Sequence, residues 1–570
     1  MFGFSALLNK NNLIFRSDGN GDRIMQNGDY LCFNNMIDKF ANDKVFYEDT
    51  EYMCILDGVV LNKRNIQTYV SWPKTLIDLY KSSGEQSLFF DKLRGSFGGV
   101  FFDKKAGKYY VFSDHIGSKF LYYVQYGKSL FVSSMISECY SFLRQNKIPY
   151  SLSIDNVYLL LSYGYMLEDR TLCDQIKKLE PGCYLSFKDG CVEQHSYCLL
   201  DNTPDGSITE DDALDILDEG FRKAIKMQFD KDDEYGYKHL VALSAGLDSR
   251  MVCWVAHEMG YTRQLNATFS QSDYWDQKVP MQIASDLKHE WIFKNLDGGW
   301  WLQDVDAINM ITGGNVQYYG LAHGRSLTSL LNYDQLGITH SGQLGDVVFS
   351  SFYQGTNPDA PYIFGAKAYS TTFIQKAKDR IQLHNSYKNE EIGNYYYRGF
   401  SGANNGLLCN YDYNEVISPF HDIDLLKKAL QIPLPIRHGH GLYFKWILTR
   451  YPEAAKYVWE KLGGRIDRKY GIINFNGHKV RIETVPGRVL RKLFRGAGGL
   501  DTKHNMNPIG YYIQTNCELR KWMDDYIKEN IHRVADPMLY EDVHTMLKRD
   551  KTIDKIEIIT LLSALKIFFD

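Results

Sequence analysis

The chain has 570 residues, 44% of them hydrophobic, with 65 Lys and Arg against 69 Asp and Glu. That length allows two or more cores, while a net charge of −4 gives no general cationic field for a phosphate backbone and argues against a dedicated nucleic-acid protein. The opening MFGFSALLNKNN lacks the basic and apolar regions of a signal peptide, and no stretch reaches the roughly 18 apolar residues of a spanning helix, so a soluble cytoplasmic protein without membrane partners is expected.

The 10 cysteines form no CxxC pair or regular spacing and read as scattered buried thiols in a reducing compartment, not a disulfide frame or zinc site. The 41 tyrosines are read first as core residues, with stacking on sugars or bases as the alternative.

The first 200 residues read as short strands, MCILDGVVL, GSFGGVFFD, KYYVFSD, FLYYVQYG, SLFVSS and CYLSFKDG, separated by Gly and Asp-Gly turns. Helical stretches near 74–82 and 153–163 make a layered α+β domain the expectation. The polar, acidic DNTPDGSITEDDALD (201–215) then precedes the amphipathic pattern LDILDEGFRKAIKMQF, so the division falls between 1–203 and 204–570. From 237, strands HLVAL, QLNATF, EWIFKN and GITHSG alternate with helices at 249–259, 277–287 and 321–332. This pattern predicts a doubly wound parallel sheet that binds ligands at the carboxyl ends of its strands. Residues 375–570 read as mostly helical, without repeats.

Ser244-Ala245-Gly246-Leu247-Asp248-Ser249-Arg250 follows a buried strand and opens a helix. Small residues let backbone N–H groups approach an anion, the Ser244 and Ser249 hydroxyls add donors, and the helix start contributes positive charge. Asp248 would repel phosphate unless a divalent cation lay between them, which points to Mg²⁺; ordinary helix capping is the alternative. About 100 residues on, strand GITH ends in Ser341-Gly342-Gln343-Leu344-Gly345-Asp346. If both strands share one parallel sheet, Asp248 and Asp346 converge on one edge and hold the metal together, with Ser341 and Gly342 beside a nucleotide.

With these motifs in place, the sequence resembles the asparagine synthetase family and its β-lactam synthetase and lasso peptide cyclase relatives. Ser244 to Ser249 is similar to that family's Ser-Gly-Gly-x-Asp-Ser pyrophosphate loop, SGQLGD to its Ser-Gly-Glu-Gly-x-Asp segment, and EVISPFHD (415–422) to its Glu-Val-Arg-x-Pro-Phe-Leu-Asp stretch. GSFGGVFFD, SDHIGSKFLYY, SSMISE and LEPGCYLSF resemble its glutaminase-type domain. The resemblance implies an amino-terminal hydrolase-like α/β/β/α sandwich, with an amino-terminal nucleophile in its active relatives, joined to an ATP-pyrophosphatase domain with a helical tail. It also implies ATP and Mg²⁺ as cofactors, a small-molecule or peptide carboxylate as substrate, and an amide product formed through an acyl-adenylate.

Departures from the family pattern carry their own expectations. Phe2 stands where glutaminases of this type expose a cysteine nucleophile, and Asp57-Gly58 replaces the oxyanion-stabilising Asn-Gly, so glutaminase activity is not expected. Nitrogen would then come from ammonia, from an amine, or from a partner glutaminase. Gln343 replaces a glutamate and an amide cannot take a proton, so Glu415 is the candidate general base, with a capping role as its alternative. Lys461 lies where the resemblance implies a pyrophosphate-binding lysine, with Lys445 and Lys469 as competitors. Arg250 is read as reaching substrate or phosphate, or pairing with an acidic neighbour. Phe269, Ser270 and Asp276 fall in the family's adenosine-binding segment. RHGH (437–440) is discounted as a metal site for want of a third ligand. The basic stretch 461–495 is read as a solvated amphipathic face or, alternatively, a surface for an acidic substrate. An inactive nucleotide- or partner-binding protein and an ordinary asparagine synthetase are the competing functions.

Overall fold

The computed structural model describes residues 2–17, 23–83, 88–349, 352–353, 357–468, 504–549 and 551–570, with the backbone alone of 472–475 and 478–481. Its amino-terminal part is built on two six-stranded sheets, antiparallel at every pairing. One sheet centres on Gly3–Leu8, flanked by Tyr30–Asn35 and Ser129–Ser133; the other centres on Gly95–Asp103, flanked by Tyr52–Val60 and Lys108–Ser113.

Strand side chains alternate faces, and that alternation builds four layers. Phe4, Ala6 and Leu8 meet Ile55, Val100 and Val111 of the second sheet. Leu7, pointing the other way, packs with Phe142 and Leu160 of helices Ile136–Gln145 and Ile154–Tyr163. Trp72, Leu76 and Ile77 of helix Trp72–Ser82 cover Leu56, Phe97 and Phe101 on the far side of the second sheet. The result is an α/β/β/α sandwich. Strands Gly3–Leu8 and Tyr30–Asn35 and helix Ile136–Gln145 are absent from the sequence-based elements. Gly3–Leu8 is buried at every position and offers no apolar-polar alternation to read.

The second part begins with the 26-residue helix Glu210–Tyr235, opened by a capping box between Thr209 and Asp212 and closed by Gly236 at φ 73°. Five parallel strands follow in the order Glu290–Asn295, Gln264–Ser270, Lys238–Ala242, Leu336–His340 and Val416–Ile417. The order reverses between Lys238–Ala242 and Leu336–His340, the switch point where open parallel sheets bind ligands. The mostly helical stretch 375–570 also holds strands at two places: Val416–Ile417 is the fifth strand, and Ile472–Phe475 pairs with His478–Arg481 in a hairpin. A two-residue strand has no periodicity to detect; its pairing to Thr339 and His340 alone makes it one.

The polar linker separates the halves in sequence, yet they share one core. Leu160 and Leu161 lie in the same apolar cluster as Leu321, Ile558 and Leu562. A second junction is ionic. Glu415, fully buried, pairs with Lys119 at 2.8 Å and Lys44 at 3.2 Å, and both lysines also face Asp57, at 3.8 and 3.5 Å.

Candidate active site

At the carboxyl end of Lys238–Ala242 the chain turns through Ser244-Ala245-Gly246 into helix Leu247–Glu258. The Ser249 hydroxyl accepts the Ser244 N–H at 2.9 Å and lies 2.9 Å from the Ser244 hydroxyl, which in turn accepts the Gly246 N–H at 3.2 Å. Both hydroxyls are thus engaged within the loop. Asp276 fixes it from outside by accepting the Ala245 N–H at 2.8 Å.

The Ser341–Asp346 loop leaves the neighbouring strand and presses against the first. A Cβ on Gly342 would lie 2.3 Å from the Ser249 nitrogen, and one on Gly345 2.5 Å from the Asp248 carboxyl carbon. Only glycine permits that approach. The contact brings two carboxylates together: burial, then the Asp346 charge, push Asp248 up to about 8, against a 2.8 Å hydrogen bond donated by the Tyr443 hydroxyl. Lys461 Nζ stands 3.3 Å from Asp346 Oδ2. Burial pulls this ammonium down, but Asp346, Asp248 and Glu460 outweigh it and hold it above its ordinary value. Two neighbouring carboxylates, one strained by its own charge, suit a hard divalent cation that takes its other ligands from phosphate and water.

These groups line a cleft of about 610 Å³, together with Phe269, Asp276, Ser341, Gly342 and Gln343. Ser244, Gly246, Leu247, Asp248, Ser249 and Asp346 are all on its wall. Ser270 is fully buried and donates its hydroxyl to the Gln271 carbonyl. Gln343 donates from its side-chain amide nitrogen to the Ala403 carbonyl, and its backbone carbonyl accepts from the Ser418 hydroxyl at 2.8 Å.

Two assignments are corrected. Glu415 does not line the cleft; it is buried in the ionic junction between Lys44 and Lys119 and is no general base there. Arg250 is not on the cleft wall and, among the described residues, forms no ion pair. Fully buried, its guanidinium donates to the carbonyls of Ala245, Ala454, Tyr457 and Val458 at 2.6–3.2 Å, tying the loop to the segment that carries Lys461. Among the competing lysines, Lys445 pairs with Glu210 at 3.0 Å on the surface, and Lys469 lies outside the described residues. The basic stretch is described with side chains only to Arg468.

Other functional groups were not legible beforehand. Glu460 lines the cleft with Oε2 buried and unpartnered, and burial, then the Asp276 charge, raise its pKa. Its place beside Lys461 was the available signal. His440, from RHGH, lines the cleft; Arg437 of that motif is buried in a bidentate pair with Glu391. Among the described residues, three side chains of metal-ligating type gather at Asp232, His239 and His340. His239 Nδ1 and His340 Nε2 lie 3.0 and 2.7 Å from the same Asp232 oxygen, and Asp232 also accepts the Ile338 N–H at 2.7 Å. This hydrogen-bonded triad anchors the strand that ends at Ser341.

The chain thus joins an antiparallel α/β/β/α sandwich to a parallel-sheet α/β unit with a cleft at its switch point. Residues 45–198 match the family model described as a glutamine amidotransferase domain. The asparagine synthetase [glutamine-hydrolyzing] 1 of Bacillus subtilis (strain 168) is 23% identical over 274 residues, which cover 46% of this chain and 42% of that protein. The chain thus matches less than half the length of this relative. The chain is thus similar, over part of its length, to an asparagine synthetase, and its amino-terminal part to a glutamine amidotransferase domain. Similar solved structures include the allosteric regulatory enzyme of purine biosynthesis, at TM-score 0.23 and 9% identity, covering 51% of this chain and 74% of that one. Another is the glutamine phosphoribosylpyrophosphate amidotransferase of B. subtilis complexed with ADP and GMP, at TM-score 0.21 and 11% identity, covering 75% and 87%. Among the described residues, no helix is long and apolar enough to cross a membrane.

Proposed function

We propose that this chain is an ATP-dependent amide-forming ligase, releasing AMP and pyrophosphate and lacking a glutaminase of its own. The observation that carries this reading is the convergence of Asp248, Asp346 and Lys461 at the ends of two adjacent parallel strands.

A carboxylate oxygen of the substrate attacks the α-phosphorus of ATP; the bond to the β-phosphate oxygen breaks and pyrophosphate leaves. Negative charge grows on that leaving group, and Lys461 offsets it. The Ser244–Ser249 loop holds the phosphates through backbone N–H groups at its helix start. Asp248 and Asp346 would hold Mg²⁺, which would supply charge neutralisation on the phosphates. An amine or ammonia then attacks the acyl carbon, AMP departs with the bond oxygen, and the nitrogen sheds a proton. Glu460, its Oε2 without a hydrogen-bond partner and its pKa raised, is the cleft carboxylate suited to accept it.

Phe2, where a cysteine nucleophile would stand, and an Asp57 ion-paired to two lysines support the absence of glutaminase chemistry. Nitrogen then comes from ammonia, an amine, or a glutaminase partner. A second reading, nucleotide binding without turnover, draws on the Ser244 and Ser249 hydroxyls being bonded to each other.

The test is pyrophosphate release from Mg-ATP with ammonium, across amino acids, sugar acids and small peptides. Release that depends on one carboxylate and disappears in Asp248→Ala is the expected result. ATP binding without release for any acid would favour the second reading.

A further inference from the structure

On the ligase reading above, the acid must enter beside the nucleotide, and the nucleotide cleft leaves its seat unassigned. We infer that the neighbouring cavity of about 320 Å³ is that seat and that it selects a sugar acid over an amino acid. Gln343 joins the two spaces: it lines the nucleotide cleft, and its amide donates to the carbonyl of Ala403, which lines the second cavity.

The lining has three chemical features. First, it contains Arg398 and Lys367 and, among the described residues, no Asp or Glu. Lys367 is partly neutralised by Glu390 at 3.5 Å, whereas Arg398 has no carboxylate within ion-pair distance among the described residues and lies 4.3 Å over the Phe352 ring. An anion is favoured here. An α-ammonium would meet two cations and no acidic partner, so an amino acid such as aspartate is disfavoured. Second, aromatic rings flank the space: Tyr165, buried against Gly402, and Tyr369, 68% exposed at the surface. Third, Asn405 commits both amide hydrogens to the Ser401 and Gly402 carbonyls, leaving the cavity an acceptor. A pyranose carboxylate satisfies all three: its C–H face covers an aromatic ring, its hydroxyls donate to acceptors, and its carboxylate pairs with Arg398.

The experiment is saturation-transfer NMR on the full chain with D-glucuronate and D-galacturonate, set against D-glucose and L-aspartate. Wild type should bind a uronate and neither comparison compound. Arg398→Gln should weaken uronate binding at least 10-fold, a loss that Arg398→Lys partly restores, while Mg-ATP binding stays unchanged in both variants. Uronates that fail to bind, aspartate that binds as well, or an Arg398→Gln protein that binds uronate normally would each overturn the assignment. Uronate binding with no pyrophosphate release would instead count against the ligase reading alone, and aspartate-dependent release would keep that reading and remove this one.

Discussion

Asp248 is the residue on which the site turns. Its folded pKa, pushed up to about 8, lies above the ordinary carboxylate value near 4, so ionising it penalises the folded state. Stability from this group is therefore full below about pH 4 and is lost as pH rises toward about 8. Asp248→Asn should be more stable than wild type by thermal unfolding without Mg²⁺, with a Tm difference that grows between those limits and then levels off. A difference independent of pH would show that the carboxyl ionises freely. The same variant should release no pyrophosphate, whatever its stability. Asp248 and Asp346 were legible from sequence because small residues and a carboxylate at a strand end are a local pattern. Glu415 and Arg250 were misread because their surroundings are set by distant segments: Lys119 lies some 300 residues from Glu415, and three of the four Arg250 acceptors lie some 200 residues from it. Glu460 was missed for the same reason.

At the scale of elements, two loops function as one because glycine removes a side chain where they touch. Gly342→Ala would place a methyl 2.3 Å from the Ser249 nitrogen, against backbone that cannot rotate away. Overpacking of this kind costs about 1–3 kcal/mol, and separation of the loops should weaken Mg-ATP binding about 10-fold or more, read by equilibrium dialysis. Unchanged affinity would mean that the contact does not shape the nucleotide site. Arg250 makes the complementary tie. Arg250→Met leaves four carbonyls without their donor, and should lower stability by roughly 2–4 kcal/mol in urea unfolding. A normal urea midpoint would show that other donors or water replace the guanidinium. The β-α alternation from 237 onward was readable because each strand is short, apolar and followed by a helix start. The two-residue strand Val416–Ile417 was not, since only its partner strand defines it.

Across the whole molecule, the sandwich is bound to the parallel-sheet unit by a shared core and by the buried group of Asp57, Lys44, Lys119 and Glu415. Burial alone would raise Asp57; Lys119 and Lys44 outweigh it and hold the carboxyl below its ordinary value. Burial pulls Lys119 down, and Asp57 and Glu415 more than reverse this. Glu415→Gln leaves these two buried lysines facing one carboxylate, and breaking such a group costs about 3–5 kcal/mol. The variant should unfold earlier yet keep its pyrophosphate release at temperatures where it is folded. Loss of catalysis with full stability would return Glu415 to a chemical role. The central claim is that a carboxylate is activated by transfer of AMP, and isotope transfer tests it most directly. With the acid labelled by ¹⁸O in its carboxylate and ammonium as acceptor, mass spectrometry should find one ¹⁸O in each AMP released. AMP free of label, or ADP and phosphate in its place, would contradict the account.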